Sequence, residues 1–78
     1  MPGIPVLKSR EVIAILTTLG FVEVRQRGSH KQFRHFDGRA TTVPVHQGRD
    51  ISPILLRQIA KDIGLTLTEF VRPQIRGQ

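Results

Sequence analysis

The sequence predicts an α+β fold of order α-β-β-β-α, with two helices on one face of a three-stranded antiparallel sheet. Three observations carry this. Residues 9–19 and 53–63 repeat apolar side chains at the helical period, and each stretch ends at a glycine. Between them the period falls to two, over residues 21–26, 30–36 and 40–45. Those three segments are separated by Gly28-Ser29 and Asp37-Gly38, dipeptides that turn a chain back on itself.

The lead-in, residues 1–7, carries Pro2, Gly3 and Pro5 among Ile4, Val6 and Leu7, and does not read as an element of its own. Ser9 reads as the N-cap of the first helix. From it Val12, Ile15, Leu16 and Leu19 fall on one helical face, and Gly20 supplies a left-handed C-terminal cap. The second hairpin has two possible registers. A two-residue Asp37-Gly38 loop would pair Phe36 with Arg39 and split the apolar side chains between the two faces. A three-residue loop over residues 37–39 pairs Phe33 with Val43 and Lys31 with Val45, gathering them on one face. The second register is expected. It sets His30 opposite His46 on a polar, cationic face shared with Gln32, Arg34 and Thr42. Ser52 then caps the second helix with Pro53 in its first turn, Leu55, Leu56, Ile59, Ala60 and Ile63 make its apolar side, and Gly64 ends it. Thr66 and Glu69 have capping-box spacing for a short third helix through Val71, which Arg72-Pro73 should stop, leaving residues 74–78 as a mobile tail.

A length of 78 residues leads us to expect one small domain, residues 1–78, and argues against a multidomain enzyme. The 12 Lys and Arg against 6 Asp and Glu give a formal charge of +6, and nine of the twelve are Arg, the better fork for phosphate. A polyanionic partner is expected. With no Cys, disulfides, thiolate zinc sites and cysteine nucleophiles are excluded. The longest apolar run, residues 12–16, is too short for a membrane span or the core of a secretory signal, so a cytoplasmic protein without a membrane partner is expected.

Chemistry concentrates at Gly28-Ser29-His30-Lys31, with Arg25 and Arg27 before it and Arg34 after. Residues 25–39 hold five cations (Arg25, Arg27, Lys31, Arg34, Arg39) and one acid, Asp37, hence +4 of the +6. An imidazole exchanges a proton near neutrality, and guanidinium groups beside it can neutralise a phosphate while the proton moves. RNA brings its own nucleophile, the 2′-hydroxyl, so such a group of side chains suits RNA cleavage with no metal and no cofactor. His30 is the candidate catalytic residue and His46 the candidate second proton carrier. Arg25, Arg27, Ser29, Lys31 and Arg34 are candidate RNA and phosphate contacts. Ser29 lacks the acid needed to complete a triad with His30, His35 either packs or faces water, and no ligand spacing typical of zinc is present. The same arginines would equally serve a non-catalytic module that binds double-stranded RNA.

Leu19-Gly20-Phe21 at the end of the first helix, Gly28-Ser29-His30 at the start of the second strand, Val43-Pro44-Val45-His46 closing the third, and Leu56-Arg57-Gln58-Ile59 followed by Gly64-Leu65 occur in one order. In this ordered set, over about residues 7–71, the chain resembles the HicA toxins. The resemblance implies a fold like that of double-stranded-RNA-binding domains, an mRNA-cleaving ribonuclease activity with His30 as the catalytic histidine, and a HicB antitoxin as partner. Ser52-Pro53 departs from the Gly-Thr pair that relatives often carry there, and residues 2–5 and the tail from Arg72 lie outside the likeness.

Overall fold

The structure, a computed structural model, describes residues 6–46 and 49–76. Its elements are β1 (Leu7–Lys8), α1 (Ser9–Thr18), β2 (Val22–Arg27), β3 (His30–Arg34), β4 (Ala40–Pro44), β5 (Asp50–Ile51), α2 (Pro53–Asp62) and α3 (Leu67–Arg76). Strands β2, β3 and β4 form an antiparallel sheet in that order, and β1 pairs with β5 in a separate two-stranded one. Helices α1 and α2 both pack against β4. The fold is the α+β arrangement expected, with three differences.

First, the lead-in is partly structured. Leu7 pairs with Ile51 and Lys8 with Asp50, and Leu7 and Ile51 are both buried. Lys8, not Ser9, then holds the N-cap position of α1, its amide donating to Glu11 Oε1 at 2.8 Å. Ser9 is instead buried, and its hydroxyl donates to the Pro44 carbonyl at 2.8 Å, tying the helix start to the end of β4. A serine ahead of an apolar stripe suits either role, and burial beside a strand-end carbonyl decides between them. The expectation for residues 1–5 lies outside the described residues.

Second, α3 does not stop at Arg72. The Thr66–Glu69 capping box forms as expected, with Thr66 N to Glu69 Oε1 at 2.8 Å and Glu69 N to Thr66 Oγ1 at 3.1 Å. The helix then continues through Pro73 to Arg76, so residues 74–76 are helical rather than a loose tail. Phe70 and Val71 are buried in the common core, and that burial outweighs the single backbone donor a proline removes.

Third, the hairpin between β3 and β4 has a longer loop than expected. Phe33 pairs with Thr41, Lys31 with Val43 and His30 with Pro44, a slip of two residues from the expected register. Because the slip is even, each side chain keeps its face: Phe33, Thr41 and Val43 are buried beneath the helices, while His30, Gln32 and Arg34 are exposed on the other side. Residues 35–39 close the loop, with His35 N donating to Arg39 O at 2.8 Å and Gly38 N to His35 O at 2.9 Å.

Both helices end as the glycines require. Phe21 N reaches Leu16 O and Gly20 N reaches Thr17 O, and at α2 Leu65 N reaches Ala60 O and Gly64 N reaches Lys61 O, so each glycine closes a Schellman motif at positive φ. Gly20 carries a second constraint. A Cβ there would lie 3.0 Å from His35 Nε2, whereas one at Gly64 would meet nothing within 4 Å. Both alanine variants bear the left-handed penalty of about 1–2 kcal/mol, but only Gly20→Ala must also displace a packed ring. Chemical denaturation of the two variants should therefore show Gly20→Ala losing the more stability.

Candidate functional site

Gly28-Ser29 is a two-residue hairpin loop between β2 and β3. Gly28 has φ +56° and Ser29 a negative φ, the sign pattern of a type II′ turn. The loop pairs Arg27 directly with His30, and Gln26 Nε2 secures it by donating to the Gly28 carbonyl at 3.0 Å. Ser29 contributes backbone as well, its carbonyl accepting from Val45 N at 2.6 Å, which continues the ladder past Pro44. The Gly-Ser of the Gly-Ser-His motif thus sets the geometry that presents the histidine.

Strand pairing then lays out the exposed face in three rows. Arg27, His30 and Pro44 form the first, Arg25, Gln32 and Thr42 the second, and Val22, Arg34 and Ala40 the third. A bulge between Glu23 and Arg25 brings Val24 into β2 without a partner of its own. These nine paired positions include three arginines and no acid. A strand advances about 3.3 Å per residue and strands lie about 4.8 Å apart, so the arginines surround His30 and Gln32 within one or two side-chain lengths.

Two expected site residues are elsewhere. Lys31, one position from His30, points to the helix side of the sheet, where its Nζ is 3.3 Å from Glu23 Oε1. His46 does not face His30, whose partner is Pro44. His46 is exposed beyond the end of β4 and lines a small recess with Ser9, Arg49 and Ser52, next to residues 47 and 48, which lie outside the described residues. The two-residue slip of the hairpin is the cause, since it ends β4 before His46 can pair.

Arg39 is also taken out of the cationic field. Its Nε is 2.8 Å from Asp37 Oδ2, its Nη1 donates to the Ile63 carbonyl at 2.6 Å, and its guanidinium lies 5.2 Å from the centre of the Phe21 ring. It joins the β3–β4 loop to the end of α2. His35 packs: its ring lies 5.1 Å from Phe21 and 4.6 Å from Phe36, and Nδ1 accepts the Asp37 amide at 3.1 Å.

An open cleft of about 450 Å³ runs from the exposed sheet face to the flank of α2. His30, Gln32, Arg34 and Thr42 line one side, Leu55, Gln58 and Asp62 the other, with Val24 and Pro44 as apolar borders. Neither Gln58, which lies in the Leu56-Arg57-Gln58-Ile59 stretch, nor Asp62 is a candidate site residue from the sequence. Their signal was there, a polar pair at i and i+4 on the helix flank that also carries Leu55 and Ile59. Among the described residues no three His, Cys, Asp or Glu side chains group as metal ligands would, and no helix is long and apolar enough to cross a membrane.

A small α+β domain with one histidine set among arginines on an open sheet face has the charge pattern of a domain that meets a polyanion. The family model described as HicA toxin of bacterial toxin–antitoxin matches residues 9–65, from the first residue of α1 to just past α2. The chain belongs to the HicA toxin family, whose members are known as RNA-cleaving toxins. Membership implies an antitoxin partner. No curated protein matches the chain. Arg25, Arg27, His30 and Arg34 all fall within the matched residues.

The titration of Asp37 is displaced downward. The Arg39 amide first of all, then the Arg39 guanidinium and His35, hold its carboxyl below the ordinary 3.8, with desolvation opposing them. A lowered folded-state pKa gives stability that is complete above the unfolded value and lost as pH falls through the folded one. At pH 7 Asp37→Asn should therefore unfold at lower denaturant than the native protein. That difference should begin to close below about 3.8 and vanish only once the pH has fallen through the lower folded-state value, where the native carboxyl becomes neutral.

Proposed function

We propose that this protein is a metal-independent endoribonuclease toxin that cleaves mRNA in the cytoplasm, with His30 as its acid–base group. The observation that carries the reading is the cross-strand pairing of His30 with Arg27, with Arg25 and Arg34 on the same face and no acid among its paired positions. In the reaction the 2′-hydroxyl of RNA loses its proton to the neutral imidazole, and its oxygen attacks the adjacent phosphorus. The bond to the 5′-oxygen breaks, the imidazolium returns the proton to that oxygen, and the products are a 2′,3′-cyclic phosphate and a free 5′-hydroxyl. Arg27 and its neighbours balance the charge that builds on the phosphoryl oxygens. No covalent intermediate with the protein is required. Lys31, being paired with Glu23 on the other face, is assigned no part in phosphate binding, and His46 none in the first proton transfer.

A HicB antitoxin would silence the enzyme by covering this face with acidic side chains. Arg27→Glu together with Arg34→Glu should then weaken RNA and antitoxin binding in parallel, while Lys31→Ala leaves RNA binding nearly unchanged. Loss of neither on the double reversal would sink the shared-surface idea. RNA affinity should fall with salt at a slope of about −0.7 per phosphate contacted on a single strand.

The direct test is cleavage of a defined single-stranded RNA in excess EDTA. The native protein should cut it, and His30→Ala, with its fold checked by circular dichroism, should be slower by about 10²–10⁴-fold. RNA binding without cutting by either protein would instead favour the non-catalytic double-stranded-RNA-binding module. Equal cutting by both would remove His30 from the mechanism.

A further inference from the structure

We infer that the cleft between the exposed sheet face and α2 is a nucleobase subsite in which Gln58 selects a base carrying an exocyclic amine, adenine or cytosine. The inference rests on the ribonuclease reading for its ligand class, since it takes the phosphate to lie at His30 and the base to lie beside it. The cleft begins at His30 and ends on α2, and its volume of about 450 Å³ falls within the range of small-ligand pockets. Its borders suit a flat, partly apolar ring. Pro44 and Leu55 are half-buried hydrophobic surfaces, and Gln32 and Thr42 provide polar floor between them.

The orientation of Gln58 follows from its partners. Asp62 accepts the Thr41 hydroxyl on Oδ2 at 2.9 Å, and on Oδ1 it accepts Gln58 Nε2 at 2.8 Å. A carboxylate cannot donate, so the amide nitrogen must face it, and Oε1 is left as the end of Gln58 available to a ligand. Thr41 is buried in the sheet, so the chain Thr41–Asp62–Gln58 runs from fixed backbone to the cleft wall and holds that oxygen in place. An oriented acceptor favours the N6 amine of adenine or the N4 amine of cytosine. Uracil and hypoxanthine present a carbonyl at the corresponding position, with their ring N–H recessed beside it. The two oxygens would repel, and the arginines of the sheet cannot correct this because they read phosphate and carry no base information. Gln58 is thus a specificity-determining residue, and Asp62 a positioning residue that acts through it.

The test pairs bases of equal size, cytosine against uracil and adenine against hypoxanthine, in otherwise identical short single-stranded RNAs. Affinity is measured on the full chain carrying His30→Ala, so that binding is read without cleavage, and kcat/KM is measured with His30 intact. The amine-bearing partner of each pair should bind and react about tenfold better, as one hydrogen bond gained and one repulsion avoided would give. Gln58→Leu should bring both ratios to near one. Asp62→Asn, which lets the Gln58 amide turn over, should reduce them as well, and a purely structural role for Asp62 would lower affinity for all four RNAs without touching the ratios. Equal binding of the paired RNAs, or a preference that survives Gln58→Leu, overturns the subsite even if RNA is cut. Selective binding that depends on Gln58 without any cleavage by the native protein would keep the subsite and overturn the ribonuclease reading.

Discussion

Burial of Phe33 governs the orientation of the whole functional face. Alternation along a strand sends neighbouring side chains to opposite sides, so seating Phe33 and Val43 under the helices obliges His30, Gln32 and Arg34 to face away from them. The apolar transfer that holds Phe33 there is worth about 1.5–3 kcal/mol, whereas turning the strand over would expose it and bury a histidine and an arginine without partners. The proposed catalytic side chain is therefore placed by the burial of a neighbour on the helix side of the sheet. The same alternation explains Lys31, which is adjacent to His30 in sequence and on the far side of the sheet in space.

Sequence periodicity was sufficient for the elements and for the faces of the sheet. Helix boundaries at Gly20 and Gly64 were legible because a Schellman close demands positive φ, and the faces of β3 were legible because Phe33 and Val43 cannot both be exposed. The register was not. A shift by two residues preserves every face, so hydrophobic patterning cannot distinguish Phe33 opposite Val43 from Phe33 opposite Thr41. What decides it is the five-residue loop, closed by the backbone bonds His35 N to Arg39 O and Gly38 N to His35 O and by the hold of Arg39 on Asp37 and Ile63. The bond from Arg39 to Ile63 spans 24 residues and has no local signature. The displaced position of His46 is a direct consequence. The extension of α3 past Pro73 has the same character, since local signals predict a stop and the burial of Phe70 and Val71 reverses it.

Charge counting was informative about the kind of partner and misleading about individual residues. Of five cations in residues 25–39, Arg39 braces a loop and Lys31 is paired with Glu23. The three that remain, Arg25, Arg27 and Arg34, share the face of His30 through pairing alone. A sum of charges treats all five alike. Geometry separates a guanidinium whose donors are spent on a carboxylate and a helix-end carbonyl from one that presents its fork to solvent.

On the proposed ribonuclease reading, this division of labour limits how so small a protein could choose its RNA. Arginines on an open sheet hold any phosphodiester backbone, and an imidazole at the end of a hairpin accepts a proton from any 2′-hydroxyl, so neither discriminates among sequences. Discrimination needs a wall beside the phosphate site, and a three-stranded sheet has none of its own. Helix α2 provides one, because the Thr41–Asp62 bond draws its flank against the edge of β4 and leaves Gln58 overlooking the face. An antitoxin that blocks the enzyme meets the same partition. Acidic groups laid over the arginines would displace the backbone of RNA but would be weakened by salt, whereas a side chain filling the cleft would exclude the base and be less affected by salt. Inhibition that holds across ionic strength therefore requires a partner that fills the cleft beside α2, with cover over the arginine face adding to it where salt is low.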